Sequence, residues 1–335
     1  MAPVTGLLVD DRYRGDHGIG RYAQEVLPRL RPEWRSLGLD GSPHTALDAF
    51  RALPRVDARA LVYSPGYGAL VRARRQILTI HDLIQLRSPW PGRMKFAAYY
   101  AGPVRHVVRK AGVVLTVSET SAGEIRDWLR DESVRIVNAG NGCSAAFTPT
   151  GPATDSADPY VLFVGNVREH KNLDVVMRAL PRAAGVRLTV VIPASESAAL
   201  SARAASLGVT QRLTMFHNVD DARLAALYRG AAVTAMPSRM EGFGLPALES
   251  ISCGTPVVYW RDCDAVSEIV GERGWALESW DDADEWADAL VTACGAGRRI
   301  APPEANRYDW QRTAALISDV LEADAAPAAP RVSTA

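Results

Sequence analysis

Short β-branched, apolar runs recur along almost the whole chain, and most are followed by a stretch with helical apolar spacing. Residues 6–10, 60–64, 77–83, 113–118 and 134–137 read as strands in the first part, and residues 160–164, 188–192, 213–216, 233–236 and 256–259 in the second. Strands that alternate with helices bury both faces in a parallel sheet covered on each side, so the fold class is α/β. Residues 20–30 and 120–129 carry the pattern of crossover helices, the latter with a capping-box spacing from Ser121 to Glu124. Between residues 147 and 159 the pattern lapses into Thr, Pro, Gly, Ser and Asp, as in an exposed linker. Two doubly wound, Rossmann-like domains are therefore expected, residues 1–150 and 151–322, facing each other across a ligand cleft. Residues 310–321 read as a closing helix able to pack back on the first domain, and residues 323–335 as a disordered Ala/Pro tail.

With 335 residues, 47% of them hydrophobic, the chain can bury two cores. It has neither an apolar stretch of membrane-spanning length nor a signal-peptide pattern, which reads as cytoplasmic. Cys143, Cys253, Cys263 and Cys294 lack C-x-x-C pairing, so neither a zinc site nor a disulfide frame is expected. Net charge is zero, yet residues 1–150 hold 21 Lys and Arg against 14 Asp and Glu, and the remainder 17 against 24. A basic first half suits an anionic acceptor or a peripheral membrane surface, or simply solvated helix faces. Residues 93–110, with Phe96, Tyr99 and Tyr100, offer either a lipid or acceptor contact or a packed helix with charged ends. No nucleic-acid partner is expected.

The richest segment is Pro237-Ser238-Arg239-Met240-Glu241-Gly242-Phe243-Gly244-Leu245-Pro246-Ala247-Leu248-Glu249-Ser250, which joins a buried strand to a short helix. Gly242 and Gly244 permit a tight turn and close ligand approach, and Pro246 suits the start of a helix. The free amides there favour an anion, and Glu241 just ahead can accept sugar hydroxyls. On spacing alone, Glu241 reads equally as a capping acid and Glu249 as an acid on a surface helix.

The sequence E-G-F-G-L-P-x-L-E, with its glutamates separated by seven residues, resembles the E-x7-E motif of retaining GT-B glycosyltransferases of family four. The resemblance implies that Glu241 meets the donor sugar and Glu249 the nucleotide ribose, with Gly242, Phe243, Gly244 and Leu245 lining the donor. Val164-Gly165-Asn166-Val167-Arg168-Glu169-His170-Lys171-Asn172-Leu173 resembles the family's phosphate-binding turn. Lys171 supplies a point charge and Arg168 a bidentate fork for a leaving diphosphate. Asn166 stands where an arginine usually follows the glycine, so either Arg168 or His170 substitutes for it or that contact is lost. His81, in Thr79-Ile80-His81-Asp82, resembles the family's active-site histidine, and otherwise reads as a hydrogen-bonded strand end. Gly18, in Asp16-His17-Gly18-Ile19-Gly20-Arg21, resembles its N-terminal glycine. Leu224-Ala225-Ala226-Leu227-Tyr228-Arg229-Gly230-Ala231 resembles a framework helix, capped by Asp220 or Asp221 and without chemistry of its own.

Gly18, Gly20 and Ala23 also spell a dinucleotide fingerprint, but seven residues separate them from the strand they should follow, which argues against it. Asp262 with Asp264, and Asp281 with Asp282, imitate the acid pairs of metal-dependent transferases but read as helix caps. The resemblance thus implies a metal-independent, cofactor-free retaining hexosyltransferase. It would move sugar from a nucleotide-diphosphate donor, GDP-mannose being the first candidate, to a hydroxyl of a saccharide, lipid-linked sugar or natural product. A nucleotide-sugar epimerase and a non-catalytic nucleotide-sugar binder are the alternatives; the acceptor's identity and the oligomeric state stay open.

Overall fold

The computed structural model describes residues 6–15, 18–43, 45–53, 57, 60–304 and 306–325. They form two compact units: the chain up to Gly142 together with the chain from Asp309, and Cys143–Tyr308.

The first unit is built on parallel strands β1 (Leu7–Val9), β2 (Trp34–Ser36), β3 (Leu61–Ser64), β4 (Gln76–Leu78), β5 (Val113–Thr116) and β6 (Arg135–Asn138). Four are ordered β2-β1-β3-β4, and β5 pairs with β6. A parallel bridge between Thr79 and Leu115, with Ile80 N–H donating to the Leu115 carbonyl at 2.8 Å, carries the hydrogen bonding from β4 to β5. The strand expected over 77–83 therefore stops short of His81. β2 was not anticipated: Trp34-Arg35-Ser36 has no apolar run and is half-buried to exposed, so backbone pairing to β1 alone makes it an edge strand.

Helix Glu119–Leu129 is capped one turn earlier than its spacing suggests. Ser118 accepts from Ser121 N–H at 2.9 Å, while the buried Ser121 hydroxyl donates to the His81 carbonyl at 2.7 Å. Residues 93–111 form one helical run, Arg93–Tyr99 and Arg105–Ala111 flanking a wide π turn at Tyr100–Val104 that accommodates Pro103. Tyr99 and Tyr100 are buried and Phe96 packs on the same cluster, so these aromatics are core and not a contact surface.

A buried charge network sits at the exit of β1. Arg12 spans two carboxylates, with Nε to Asp10 Oδ1 at 2.7 Å and Nη2 to Asp48 Oδ2 at 2.6 Å, all three side chains at most 7% exposed. Helix Trp310–Ala325 closes this unit: Trp310 lies edge-on to Tyr22 and Ile317 and Leu321 are buried. It runs through Ala325, so residues 323–325 of the expected tail are helical; residues 326–335 lie outside the described residues. Gly142 lies against Trp310, where a β-carbon would sit 2.4 Å from the Trp310 nitrogen.

The second unit holds one six-stranded parallel sheet made of β7 (Tyr160–Val164), β8 (Arg187–Val191), β9 (Leu213–Phe216), β10 (Val233–Met236), β11 (Val257–Trp260) and β12 (Gly274–Leu277). Its order is β12-β11-β10-β7-β8-β9. Helices Leu173–Ala179 and Ala283–Ala296 cover one face through Val176, Leu180, Trp286 and Leu290. The unit begins before residue 151 because Phe147 is buried against Tyr160 and Tyr228. The expected linker is exposed but tied down: Thr154 N–H donates to the Ala226 carbonyl, and Arg229 Nε to the Pro152 carbonyl at 2.7 Å. At the unit's two ends, Cys143 N–H donates to the Tyr308 carbonyl at 3.1 Å.

The chain starts this sheet at β7, lays β8 and β9 on one side, then returns to place β10 on the other. β7 and β10 are neighbours, so the order reverses between them, and the turns leaving their carboxyl ends sit at the position where sheets of this kind bind ligands.

Candidate functional site

The two turns at that reversal carry the conspicuous sequence motifs. After β7 the chain runs through 165–168 into a 3-10 turn at Glu169–Lys171; after β10 it runs through Pro237-Ser238-Arg239-Met240-Glu241 to helix Leu245–Ser252. Three contacts join them. Lys171 Nζ lies 2.7 and 2.9 Å from the two Glu241 carboxylate oxygens. Arg239 N–H donates to the His170 carbonyl at 2.7 Å. Asn172 Nδ2 donates to the Pro237 carbonyl at 3.2 Å and to the Trp280 carbonyl at 2.7 Å. Asn172 adopts a left-handed conformation, φ 53°, which turns the chain into helix Leu173–Ala179 while its amide holds both loops.

The Lys171–Glu241 pair is sheltered, with side chains 16% and 8% exposed. Ser238, almost wholly buried, donates to Glu241 Oε1 at 2.6 Å, so the carboxylate has a charged and a neutral donor on the same oxygen. Gly244 caps the following helix at φ 101°, a conformation that an L side chain reaches only with strain, and its face meets Val266 and Ile269. The N–H groups of Gly244 and Leu245 find no acceptor among the described residues. Gly242 is buried, and Phe243 stacks edge-on to Tyr308 at 5.9 Å. Such a helix start, with its dipole and open amides, attracts an anion.

Arg168 stands apart from Lys171: it is exposed, and its guanidinium has no hydrogen-bond or ion-pair partner among the described residues. Asn166 turns its side chain inward to accept from Arg168 N–H at 3.2 Å. Burial, reinforced by Lys171, lowers the His170 pKa and keeps the ring neutral. The unfolded chain protonates near pH 6.5 and the folded one below it, so stability should fall as pH drops through 6.5. Urea midpoints against pH should show this slope in the parent and a reduced slope in His170→Gln.

Glu249 lies further along the helix, accepting from the fully buried Tyr228 hydroxyl at 2.9 Å. The sequence reading gave the Tyr228 helix a framework role alone; the hydroxyl that fixes Glu249 was missed, as was Ser238. Ser238 precedes Glu241 by three residues within the quoted motif, which is the one available signal. Asp220, not Asp221, caps the Tyr228 helix. Of the acid pairs, Asp282 caps helix Ala283–Ala296, Asp281 pairs with Arg178, and Asp264 opens helix Asp264–Val270. No cluster of three or more His, Cys, Asp or Glu suited to a metal ion occurs among the described residues.

His81 and Gly18 belong to the first unit. The His81 ring is buried, donates from Nε2 to the Pro65 carbonyl at 2.9 Å and meets Tyr22 edge-on at 4.7 Å. Gly18 opens helix Gly18–Val26 with nothing within 4 Å of where its β-carbon would be, whereas at Gly20 a β-carbon would strike the Gly15 carbonyl. Asp16 and His17 lie outside the described residues.

The family described as Glycosyl transferases group 1 matches residues 158–295, which include both turns and both glutamates. D-inositol 3-phosphate glycosyltransferase 2 of Catenulispora acidiphila is 31% identical over 294 residues, covering 76% of this chain and 67% of the relative. O-antigen chain mannosyltransferase B of Escherichia coli is 27% identical over 304 residues, covering 79% and 77%. The chain spans less than half the length of the first curated relatives it matches. Among solved structures, sucrose-phosphate synthase of Thermosynechococcus elongatus superposes with a TM-score of 0.66 at 17% identity, over 96% of both chains. The two parallel-sheet α/β units are those of the GT-B fold. The chain belongs to the group 1 glycosyl transferases.

Proposed function

We propose that the protein is a retaining glycosyltransferase that takes a hexose from a nucleoside-diphosphate sugar and passes it to an acceptor hydroxyl. The observation that carries this reading is the Lys171–Glu241 pair at the start of an open-amide helix, at the sheet's reversal point. An anionic diphosphate suits Lys171, the unpartnered Arg168 and the amides of Gly244 and Leu245. Glu241, braced by Ser238, is placed to accept hydroxyls of the adjoining sugar. Glu249, held by Tyr228, takes the ribose, and Gly242 and Phe243 complete the donor turn.

Charge that develops on the departing diphosphate is met by fixed cations and amides, so we assign the reaction no metal ion. Its retaining course follows the resemblance: front-face substitution through an oxocarbenium-like state, the departing phosphate oxygen taking the acceptor proton. On the first unit, His81 and Gly18 take the family's roles of active-site histidine and N-terminal glycine. The names of the relatives, an inositol-phosphate glycosyltransferase and a mannosyltransferase, support a sugar acceptor or phosphorylated polyol and keep GDP-mannose as the first donor to try.

The test is a thermal-shift panel of GDP, UDP, ADP and dTDP with their sugar conjugates, run with a metal chelator, followed by product analysis with retained or inverted stereochemistry. One nucleotide should stabilise the parent selectively and Lys171→Ala not at all. Conversion of the donor without an acceptor would mean an epimerase; stabilisation without any product would mean a binder.

A further inference from the structure

Five large apolar side chains are exposed among the described residues: Leu47, Phe50, Trp90, Met94 and Val291, at 84, 58, 42, 82 and 43%. Single exposed side chains of this kind are ordinary, but four of these five belong to one region of the first unit. Leu47 and Phe50 lie on the 3-10 turn Ala46–Phe50, Met94 on helix Arg93–Tyr99 and Trp90 just before it, and the turn packs against the helix. Beneath them, Ala49, Phe96 and Tyr99 share one buried cluster, and the Trp90 ring stands edge-on to Phe96 at 6.0 Å. The inner side chains of both segments are thus occupied, and the outer ones are apolar and exposed among the described residues.

The exposed charge beside Met94 is positive. From residue 83 to residue 118 the sequence has six Lys and Arg, namely Arg87, Arg93, Lys95, Arg105, Arg109 and Lys110, and neither Asp nor Glu. Of these, Arg87 and Arg109 are taken up by Glu124 and Asp131. Arg93 and Lys95 are exposed on either side of Met94. Asp48, the acid of the 3-10 turn, is buried and taken up by Arg12 and Arg51, so it adds little negative charge to the patch.

We infer that this face docks on an anionic lipid surface. Leu47, Phe50 and Met94 enter the boundary between headgroups and acyl chains, Trp90 rests at headgroup level, and Arg93 and Lys95 meet the lipid phosphates. A nucleic acid would use the cations but gains nothing from Leu47 and Met94. A protein partner favours an apolar centre depleted of charge, whereas here cations flank the apolar side chain on one short helix. The inference is independent of the transferase reading, because its readout is lipid binding and not turnover.

The test is co-sedimentation of the full chain with vesicles of phosphatidylcholine alone and with added phosphatidylglycerol. Binding should require phosphatidylglycerol and weaken in high salt. Met94→Asp should lower the partition coefficient by about tenfold or more. Lys95→Gln should lower it about fivefold, and Val291→Asp should leave it unchanged. Unaltered melting temperatures exclude misfolding. Absence of binding to anionic vesicles, equal binding to phosphatidylcholine, or an undiminished Met94→Asp variant overturns the inference. A concentration-dependent dimer lost in Met94→Asp, with no vesicle binding, assigns the face to a second copy of this chain instead.

Discussion

Lys171→Ala is expected to lower kcat for sugar transfer by about 100- to 1000-fold, the usual effect of removing one fixed charge that meets a developing anion. It should also destabilise the second unit. The Glu241 carboxylate is 8% exposed and would keep only Ser238 as a donor. Breaking a sheltered pair on one side costs about 3–5 kcal/mol, most of it the desolvation of the stranded charge. The two effects separate in the double variant Lys171→Met with Glu241→Gln, which strands no charge. Urea unfolding should recover most of the stability while turnover stays at the single-variant level or below. Full activity in the folded Lys171→Ala protein would remove Lys171 from the donor site.

Arg12→Ala should cost about 3–5 kcal/mol in the first unit without touching the Lys171 and Glu241 turns of the second. Asp10 and Asp48 are 0% and 7% exposed at the side chain, and Arg12 is their shared partner. Its removal leaves Asp10 without its cation in a low-dielectric interior and Asp48 with the longer Arg51 contact at 3.5 Å. Arg12→Lys should restore only part of the loss, since one ammonium cannot reproduce the paired N–H groups that a guanidinium presents to both acids. Urea midpoints for parent, alanine and lysine variants decide this, with the nucleotide-induced thermal shift expected to survive in both.

The alternation of apolar runs and helical stretches was enough to read an α/β chain with two parallel sheets, because burial on both faces leaves a strong periodic mark. β2 and β12 left none. Trp34-Arg35-Ser36 is an edge strand held by backbone pairing, which has no side-chain signature, and Gly274-Trp275-Ala276-Leu277, although Trp275 and Leu277 pack on the core, is too short a run to show a period. The position of the unit boundary was obscured for a related reason. A Thr/Pro/Gly-rich stretch looks like free linker, yet Arg229, far along the chain, fastens it to the second unit.

At the candidate site, Lys171 and Glu241 were legible as separate motifs; that they form one ion pair follows from β7 and β10 being neighbours, a fact of topology and not of spacing. The buried hydroxyls of Ser238 and Tyr228 were hidden in plain framework residues. Ser121 shows the reverse error, since its spacing to Glu124 imitates a capping box while its hydroxyl serves the His81 carbonyl and Ser118 performs the cap.

Gly142 against Trp310, and Cys143 bonded to Tyr308, mean that the second unit is an insertion whose entry and exit lie side by side. A ribosome consequently delivers the first unit in two instalments, with the whole of the second unit made in between. Trp310, Ile317 and Leu321 reach their places only after residues 143–308 have emerged. Closing so long a loop carries an entropy cost that a folded insert with tied ends removes in advance. The nascent first unit thus waits, its last helix missing, for its guest to fold.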